Sequence, residues 1–168
     1  MRAQKRETLV LESESTRQAI LTAAAELPPI DWGTAFLGAW SAEDLVAHLQ
    51  GWDWINIGAL GEVRAGRLPG FYALHDPDWA SLNRQLVAEC KEGRLPALVR
   101  AARESHALLM RAARACDPAD LDRDFGVRVR GVRVTIERLL RWELADEKAH
   151  LAQLREFVSA SHRGMRNS

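Results

Sequence analysis

The sequence predicts an all-α domain built from about four long helices. Apolar residues recur at intervals of three and four over most of the 168 residues, which is the pattern of a helix with one buried face. Pro and Gly residues gather in four stretches between these segments, at 28–38, 61–77, 93–96 and 117–131. The length is typical of one domain, so we expect a single unit over 1–168, with flexible ends at 1–7 and 161–168.

The first two helices have well-defined predicted boundaries. The first runs from about Thr8 to Leu27, where two prolines follow and end it. The second begins at Ser41, because Ser-Ala-Glu-Asp offers a side-chain cap and places acidic groups at the positive end of the helix dipole. It is expected to reach about Arg64.

The second half of the chain predicts three further helical segments. A shorter helix spans about 77–92 and ends before Gly93, and Pro96 then suits the first turn of a longer helix that reaches about residue 116. The last helix covers about 135–160, so four long helices and one extra short helix are expected.

Residues 127–134 break the helical pattern, because valines alternate with arginines around Gly131. A period of two predicts a short hairpin or extended segment near 126–134. An isolated two-stranded ribbon is only marginally stable, so it is expected to lean on the helices or to pair with a second subunit. The arginines could also form a phosphate-binding surface.

Composition argues against nucleic acid and membrane partners. Lys plus Arg and Asp plus Glu each total 23, which gives a formal net charge of zero. Residues 1–10 are charged and lack the apolar stretch of a signal peptide, so we expect a cytoplasmic protein. Cys90 and Cys116 have no metal-binding spacing and are interpreted as buried thiols.

Polar side chains interrupt the apolar stripes of the second and last helices. They are His48 and Asn56 in the second helix, and Glu143, Asp146, Glu147 and His150 in the last. Burying such groups is costly unless an opposite charge compensates them, and a metal ion can do so. The alternative is that the histidines are ordinary core residues and the carboxylates pair with arginines on a neighbouring helix.

The spacing of these residues suggests a ligand set. Asp146 and His150 are four residues apart, so both can reach one ion, and His48 on another helix is the best third ligand. Two imidazoles and a carboxylate suit zinc, nickel, iron or manganese. Glu147 is the rival carboxylate, because Glu-x-x-His is the spacing used in di-iron bundles.

Other residues are candidates for the surroundings of this site. Trp52 lies one turn from His48 and could wall a substrate cavity together with Asn56. His106 falls on the buried side of its own helix and could line the same pocket or support a ligand. The remaining helical tryptophans are interpreted mainly as packing residues.

Three segments resemble motifs of the DinB/YfiT-like superfamily, especially its branch of ClbS/DfsB and mycothiol-dependent maleylpyruvate isomerase-like proteins. The second-helix motif resembles Trp40-Ser-Ala-Glu-Asp-Leu-Val-Ala-His48-Leu-Gln-Gly-Trp52. The middle of ClbS/DfsB members is similar to Asp78-Trp-Ala-Ser-Leu-Asn83. The last-helix signature His-x-x-x-His-x-x-Gln-Leu resembles Asp146-Glu-Lys-Ala-His150-Leu-Ala-Gln-Leu154.

The resemblance implies a four-helix bundle of up-up-down-down topology, often a homodimer, with a metal ion held by three histidines in a cavity at one end. His48 matches the first ligand and His150 the third. Position 146 holds Asp where the motif has His, so the resemblance does not fix the metal or show that one is bound.

The resemblance also implies a function. Relatives act on low-molecular-weight thiols or their conjugates, so we expect a metal-dependent thiol transferase or hydrolase for a small molecule, with Glu147 or Glu143 accepting a proton or orienting a ligand. One alternative is a ClbS-like protein that binds or hydrolyses a reactive small molecule without metal. Another is a non-catalytic stress or interaction protein.

Overall fold

The computed structural model describes residues 1–75 and 78–166 and shows a mainly helical protein, which confirms the all-α prediction. The helices are α1 (Arg2–Ala25), α2 (Ala42–Arg64), α3 (Gly70–His75), α4 (Trp79–Cys90), α5 (Leu95–Ala115) and α6 (Ile136–Arg166). A two-stranded hairpin, β1 (Arg128–Val129) and β2 (Val132–Arg133), precedes α6. None of the helices in the described ranges is long and apolar enough to cross a membrane.

The start of α2 follows directly from its sequence. The Ser41 hydroxyl accepts a hydrogen bond from the Asp44 amide, and the Asp44 carboxylate accepts one from the Ser41 amide at 2.9 Å. This reciprocal pair satisfies two amides that have no partner within the helix. Because the cap fixes where α2 begins, helical periodicity then determines which of its side chains, including that of His48, face the core.

The two outer ends of the chain are more helical than predicted. α1 begins six residues before the predicted start, and α6 ends six residues after the predicted end. The stretches expected to be flexible are therefore helical over 2–7 and 161–166, while 167–168 lie outside the described residues. At the start of α1, Lys5 donates a 2.6 Å hydrogen bond to Glu137 of α6.

The segment between α2 and α5 differs from the prediction in one element. Helix α3 was not predicted, because it lies in the Gly- and Pro-containing stretch 61–77 that was interpreted as a connection. The predicted start of the next helix at Pro77 lies outside the described residues. In the structure α4 begins at Trp79, and the Asp78 carboxylate caps it by accepting a hydrogen bond from the Ser81 amide.

The contacts between the long helices give their relative directions. α1 packs on both α5 and α6. Lys5 pairs with Glu137 and Glu12 pairs with Lys148, so residue numbers rise together and α1 and α6 run parallel. By contrast, Arg114 near the end of α5 pairs with Glu7 near the start of α1. α5 is therefore antiparallel to α1.

α2 also packs on α5 and α6. The Glu43 carboxylate accepts a hydrogen bond from the Leu95 amide, and the Asp53 carboxylate accepts one from Ser105, so α2 and α5 run parallel. In chain order the long helices therefore point up, down, down and up. The predicted up-up-down-down order is wrong.

Helix α4 explains this arrangement. It lies antiparallel along α2, since Asp44 pairs with Lys91 while Trp52, further along α2, donates a hydrogen bond to Asn83. The chain therefore returns to the starting end of α2 before α5 begins, and α5 repeats the direction of α2. The predicted order came from the motif resemblance, and apolar periodicity could not correct it because periodicity carries no information about such a return.

The hairpin forms where the Val and Arg alternation predicted it. Arg130 and Gly131 make its turn with positive φ angles of 49° and 78°, and the Val134 amide donates to the Val127 carbonyl. The side chains of Val127 and Val134 are buried against the helices. The hairpin therefore leans on the helical core, as one of the two predicted alternatives required.

The core consists of two apolar clusters separated by a polar layer. One cluster surrounds Leu60 and Leu109, and the other surrounds Leu49 and Leu98. Between them lie five polar side chains that are each at most 5% exposed, namely Arg17, Asp53, Ser105, His106 and Glu147. The candidate site lies beside this layer, between α2 and α6.

Candidate metal centre and cavity

The structure brings His48, Asp146 and His150 together. Nε2 of His150 lies 3.1 Å from Oδ2 of Asp146, and Nε2 of His48 lies 3.8 Å from the same oxygen. The ring centroids of the two histidines are 5.4 Å apart. One potential ligand atom from each residue falls within 4.8 Å of the other two, so a single ion can contact all three after small side-chain adjustments.

His48 provides the test of whether these residues suit a metal ion. It is 2% exposed, and among the described residues neither of its ring nitrogens has a hydrogen-bond partner. A buried polar atom is costly without a partner. The unpaired nitrogen that faces Asp146 and His150 is therefore suited to donate its lone pair to an ion, and the three side chains fit a divalent metal.

The pKa shifts favour ligation at His48 and Asp146 and oppose it at His150, because a ligand must lose its proton to bind a metal ion. Burial lowers the pKa of His48, and the Asp146 carboxylate offsets this only in part, so the imidazole is neutral near pH 7. The Asp146 side chain is 57% exposed. Partial desolvation opposes its ionisation, but contacts with His150 and His48 outweigh this and lower the pKa of the carboxyl. Burial lowers the pKa of His150, and its hydrogen bond with Asp146 outweighs this and raises it.

Gln153 contacts the His150 ring at the nitrogen that does not face Asp146. Its Oε1 lies 3.1 Å from Nδ1 of the His150 ring. When the proton of a neutral imidazole is on Nδ1 and points to such an acceptor, the lone pair on Nε2 faces the candidate site. Gln153 therefore orients the ring towards Asp146.

Glu143 lies one turn before the candidate ligands on α6 and lines the cavity beside them. Burial and then repulsion from Glu147 raise the pKa of Glu143 well above its usual value. The Asn56 amide donates a 2.8 Å hydrogen bond to its Oε2. Glu143 is therefore a carboxyl group that holds a proton more tightly than an exposed glutamate.

Glu147, the predicted rival ligand, lies elsewhere. Its side chain is 1% exposed and accepts hydrogen bonds of 2.6 and 3.2 Å from Arg17, inside the polar layer. The guanidinium group of Arg17 also donates to both carboxylate oxygens of Asp53. The alternative of a carboxylate paired with arginine thus holds for Glu147, which takes part neither in the ligand cluster nor in the cavity wall.

His106 is not part of the cavity lining either. Its Nδ1 lies 3.4 Å from Asp53, in the polar layer behind the site. Asp53, His106 and Glu147 form a second group with metal-like spacing. Arg17 already supplies the cation that these carboxylates require, so the group is a buried ion-pair network.

A cavity of about 440 Å³ opens beside the candidate ligands. Its polar lining consists of His48, Asn56, Asn83, Glu143, Asp146 and His150. Its aromatic lining consists of Trp40, Trp52, Phe71, Tyr72, Trp79 and Trp142. Trp52 and Asn56 therefore line the cavity as predicted, and several tryptophans interpreted as packing residues also face it.

Sequence reasoning missed Arg17 and Asp53, although a signal for both exists. Arg17 lies seven residues after the buried Val10 and three before Ile20, and Asp53 lies four after Leu49. Both positions fall inside an apolar stripe by helical periodicity. A charged residue inside an apolar stripe predicts a buried ion pair, and this signal marks Arg17 in the first helix and Asp53 in the second.

Comparison with known proteins adds no family. A search with protein-family models gives no match to the chain, and neither does a search of curated proteins or of solved structures. The functional argument therefore depends on the site geometry and on the motif resemblance.

Proposed function

We propose that this chain is a four-helix bundle of the DinB-like superfamily that binds a divalent metal ion and acts as a thiol transferase or hydrolase on a small molecule. The observation that carries the proposal is the buried His48 imidazole, whose ring nitrogens have no hydrogen-bond partner among the described residues and which faces Asp146 and His150 at the wall of a 440 Å³ cavity. The motifs around His48 and His150 support the same site. The motif resemblance also suggests a homodimer, and the composition of the chain favours a cytoplasmic protein.

The residues divide the chemical tasks. His48, Asp146 and His150 would hold zinc, nickel, iron or manganese. Such an ion lowers the pKa of a bound water or thiol and so supplies a nucleophile near neutral pH. Glu143 holds a proton beside that position and can give it to a leaving group, while Asn56 keeps its carboxyl group oriented.

The first test is the metal content of the untagged protein, measured by mass spectrometry. We expect about one zinc, nickel, iron or manganese ion per chain, as three converging ligands require. His48→Ala and His150→Ala should each lower this content to near zero. His162→Ala is the matched control, because His162 hydrogen bonds to the Glu26 carbonyl and belongs neither to the cavity lining nor to the ligand cluster, so the substitution should leave the content unchanged.

A protein that contains no metal, and whose melting temperature does not change when zinc or nickel is added, would contradict the metal-dependent function. Equal metal loss in His162→Ala would show that the ion binds elsewhere.

One observation favours a second candidate, a ClbS-like protein that binds or hydrolyses a reactive small molecule without metal. Asp146 and His150 already form a 3.1 Å ion pair in the protein alone. This candidate predicts activity or binding that survives prolonged dialysis against a chelator. A purely structural role would predict no open space beside His150, and the cavity argues against it.

A further inference from the structure

Resting on the proposed function, we infer that the substrate carries a flat aromatic group without an anionic substituent, which packs against the wall formed by Trp52, Phe71 and Trp79 while the reacting part faces His48 and His150. The inference names a substrate class for the cavity. It is carried by the ring geometry of the wall and by the charges that line it.

The aromatic side chains form one continuous wall. The centroid of the Trp52 ring lies 5.4 Å from that of Phe71 and 6.4 Å from that of Trp79. The ring centroids of Tyr72 and Trp79 are 5.6 Å apart. Several of these pairs meet edge to face, which leaves ring faces and edges directed at the cavity. A planar ring packs against such a wall with both dispersion and quadrupole complementarity.

Trp52 joins this wall to the candidate metal centre. Its ring centroid lies 6.3 Å from the His48 ring, and its indole N–H donates a 3.0 Å hydrogen bond to Asn83 of α4. That bond fixes the Trp52 ring between the two parts of the cavity. A molecule that packs on Trp52 and Phe71 therefore extends towards His48 and His150.

The charges of the lining select against anions at the aromatic end. Two carboxyl groups, Glu143 and Asp146, line the cavity, and no Lys or Arg is among its lining residues in the described part of the chain. Arg17, the nearby buried cation, is fully engaged with Asp53 and Glu147. An anionic substituent at this wall would lose its hydration without a positive side chain in contact, since His48, His150 and the proposed ion lie beyond Trp52 in the other part of the cavity. A cation would instead be favoured by the ring faces.

The experiment uses three probes with one ring system and different charges: 2-naphthylmethanol, naphthalene-2-sulfonate and (2-naphthylmethyl)trimethylammonium. Binding to the full chain is measured by isothermal titration calorimetry, after chelator treatment and again with zinc. The alcohol and the ammonium probe should bind at least about tenfold more tightly than the sulfonate, which corresponds to a charge left unpaired on binding. The saturated decahydro-2-naphthylmethanol should bind more weakly than the aromatic alcohol.

Matched variants locate the bound ring. Trp79→Leu should weaken binding of 2-naphthylmethanol about two- to tenfold, the value of one aromatic contact. Trp54→Leu is the control, because Trp54 is on the outer face of α2, 49% exposed and outside the cavity lining. Its affinity for the probe should be unchanged. Circular dichroism melts of both variants show whether they fold.

Sulfonate binding as tight as that of the alcohol, or no binding of any naphthalene probe, would overturn the inference. Equal weakening in Trp54→Leu and Trp79→Leu would also overturn it, since the ring would not lie in the cavity. The metal content of the same preparation is measured in parallel. A protein without metal that still shows the expected probe order contradicts the proposed function and leaves the aromatic preference standing.

Discussion

Arg17 lies between two buried carboxylates, those of Asp53 and Glu147, and makes hydrogen bonds to both. Burial opposes the charge of Arg17, but the two carboxylates outweigh it and raise the pKa of the guanidinium group. The same pairing lowers the pKa of Asp53 despite its burial. The network holds α1, α2 and α6 at fixed distances behind the cavity.

We predict that Arg17→Met lowers the free energy of unfolding by about 3–5 kcal/mol, because it leaves two buried carboxylates without their cation. Urea unfolding followed by circular dichroism measures the change. Arg103→Met is the control at an exposed position of α5, where a change within about 0.5 kcal/mol is expected. If Arg17→Met also stays within that range, the network does not stabilise the fold.

The raised pKa of Glu143 predicts that the free energy of unfolding depends on pH. Burial and the neighbouring Glu147 raise its pKa in the folded protein, while the unfolded chain ionises near pH 4.3. Its contribution is fully present below the unfolded pKa and is lost as the pH rises towards the folded pKa. The contribution of Glu143 to the stability of the chelator-treated protein should therefore decline as pH rises above about 4.3.

Glu143→Gln should remove this decline, since the amide keeps the shape of the side chain and does not ionise. Urea midpoints from pH 5 to pH 8 compare the two proteins. Identical pH profiles would show that Glu143 ionises normally in the folded state.

At the level of elements, the contact between α2 and α4 sets the shape of the cavity. A Cβ atom added at Gly51 of α2 would lie 2.8 Å from Cβ of Leu86 on α4. This close approach also brings Trp52 within hydrogen-bond distance of Asn83. Because Gly51 has no Cβ atom, α4 can approach α2 closely, and this approach positions one aromatic wall of the cavity.

We predict that Gly51→Ala destabilises the protein by about 1–3 kcal/mol, because α4 must move away from α2. Gly58→Ala is a matched control on the same helix, with no atom near its added Cβ. It should instead stabilise by about 0.5–1 kcal/mol through helix propensity. Thermal and urea unfolding measure both changes, and equal signs would contradict the close-contact explanation.

For the whole molecule, the sequence was informative where local chemistry decides the structure. The cap at Ser41, the turn at Gly131 and the inward position of His48 each depend on neighbouring residues, and all three appear in the structure. The pairing of Glu147 with Arg17 depends on the relative positions of two distant helices. Spacing within one helix placed Glu147 near the ligands but could not show which partner it has.

The directions of the long helices also depend on how distant segments pack, so sequence patterns did not predict them. Periodicity identifies a buried face, but it does not say whether a connecting helix returns the chain before the next long helix begins. The short α4 does so along α2, and the aromatic residues of α3 and α4 then complete the cavity. Phe71 and Tyr72 line the cavity because of this long-range packing, and no local sequence motif indicates that they do so.

The up, down, down, up order also determines the electric field at the candidate metal centre. Two long helices start at each end of the molecule, so their macrodipoles oppose one another. His48 lies more than one turn inside α2, and His150 lies far from both ends of α6, beyond the reach of partial charges at helix termini. The negative charge that balances an ion between them would therefore come from the Asp146 carboxylate, so that changing this single residue would alter which ions are retained.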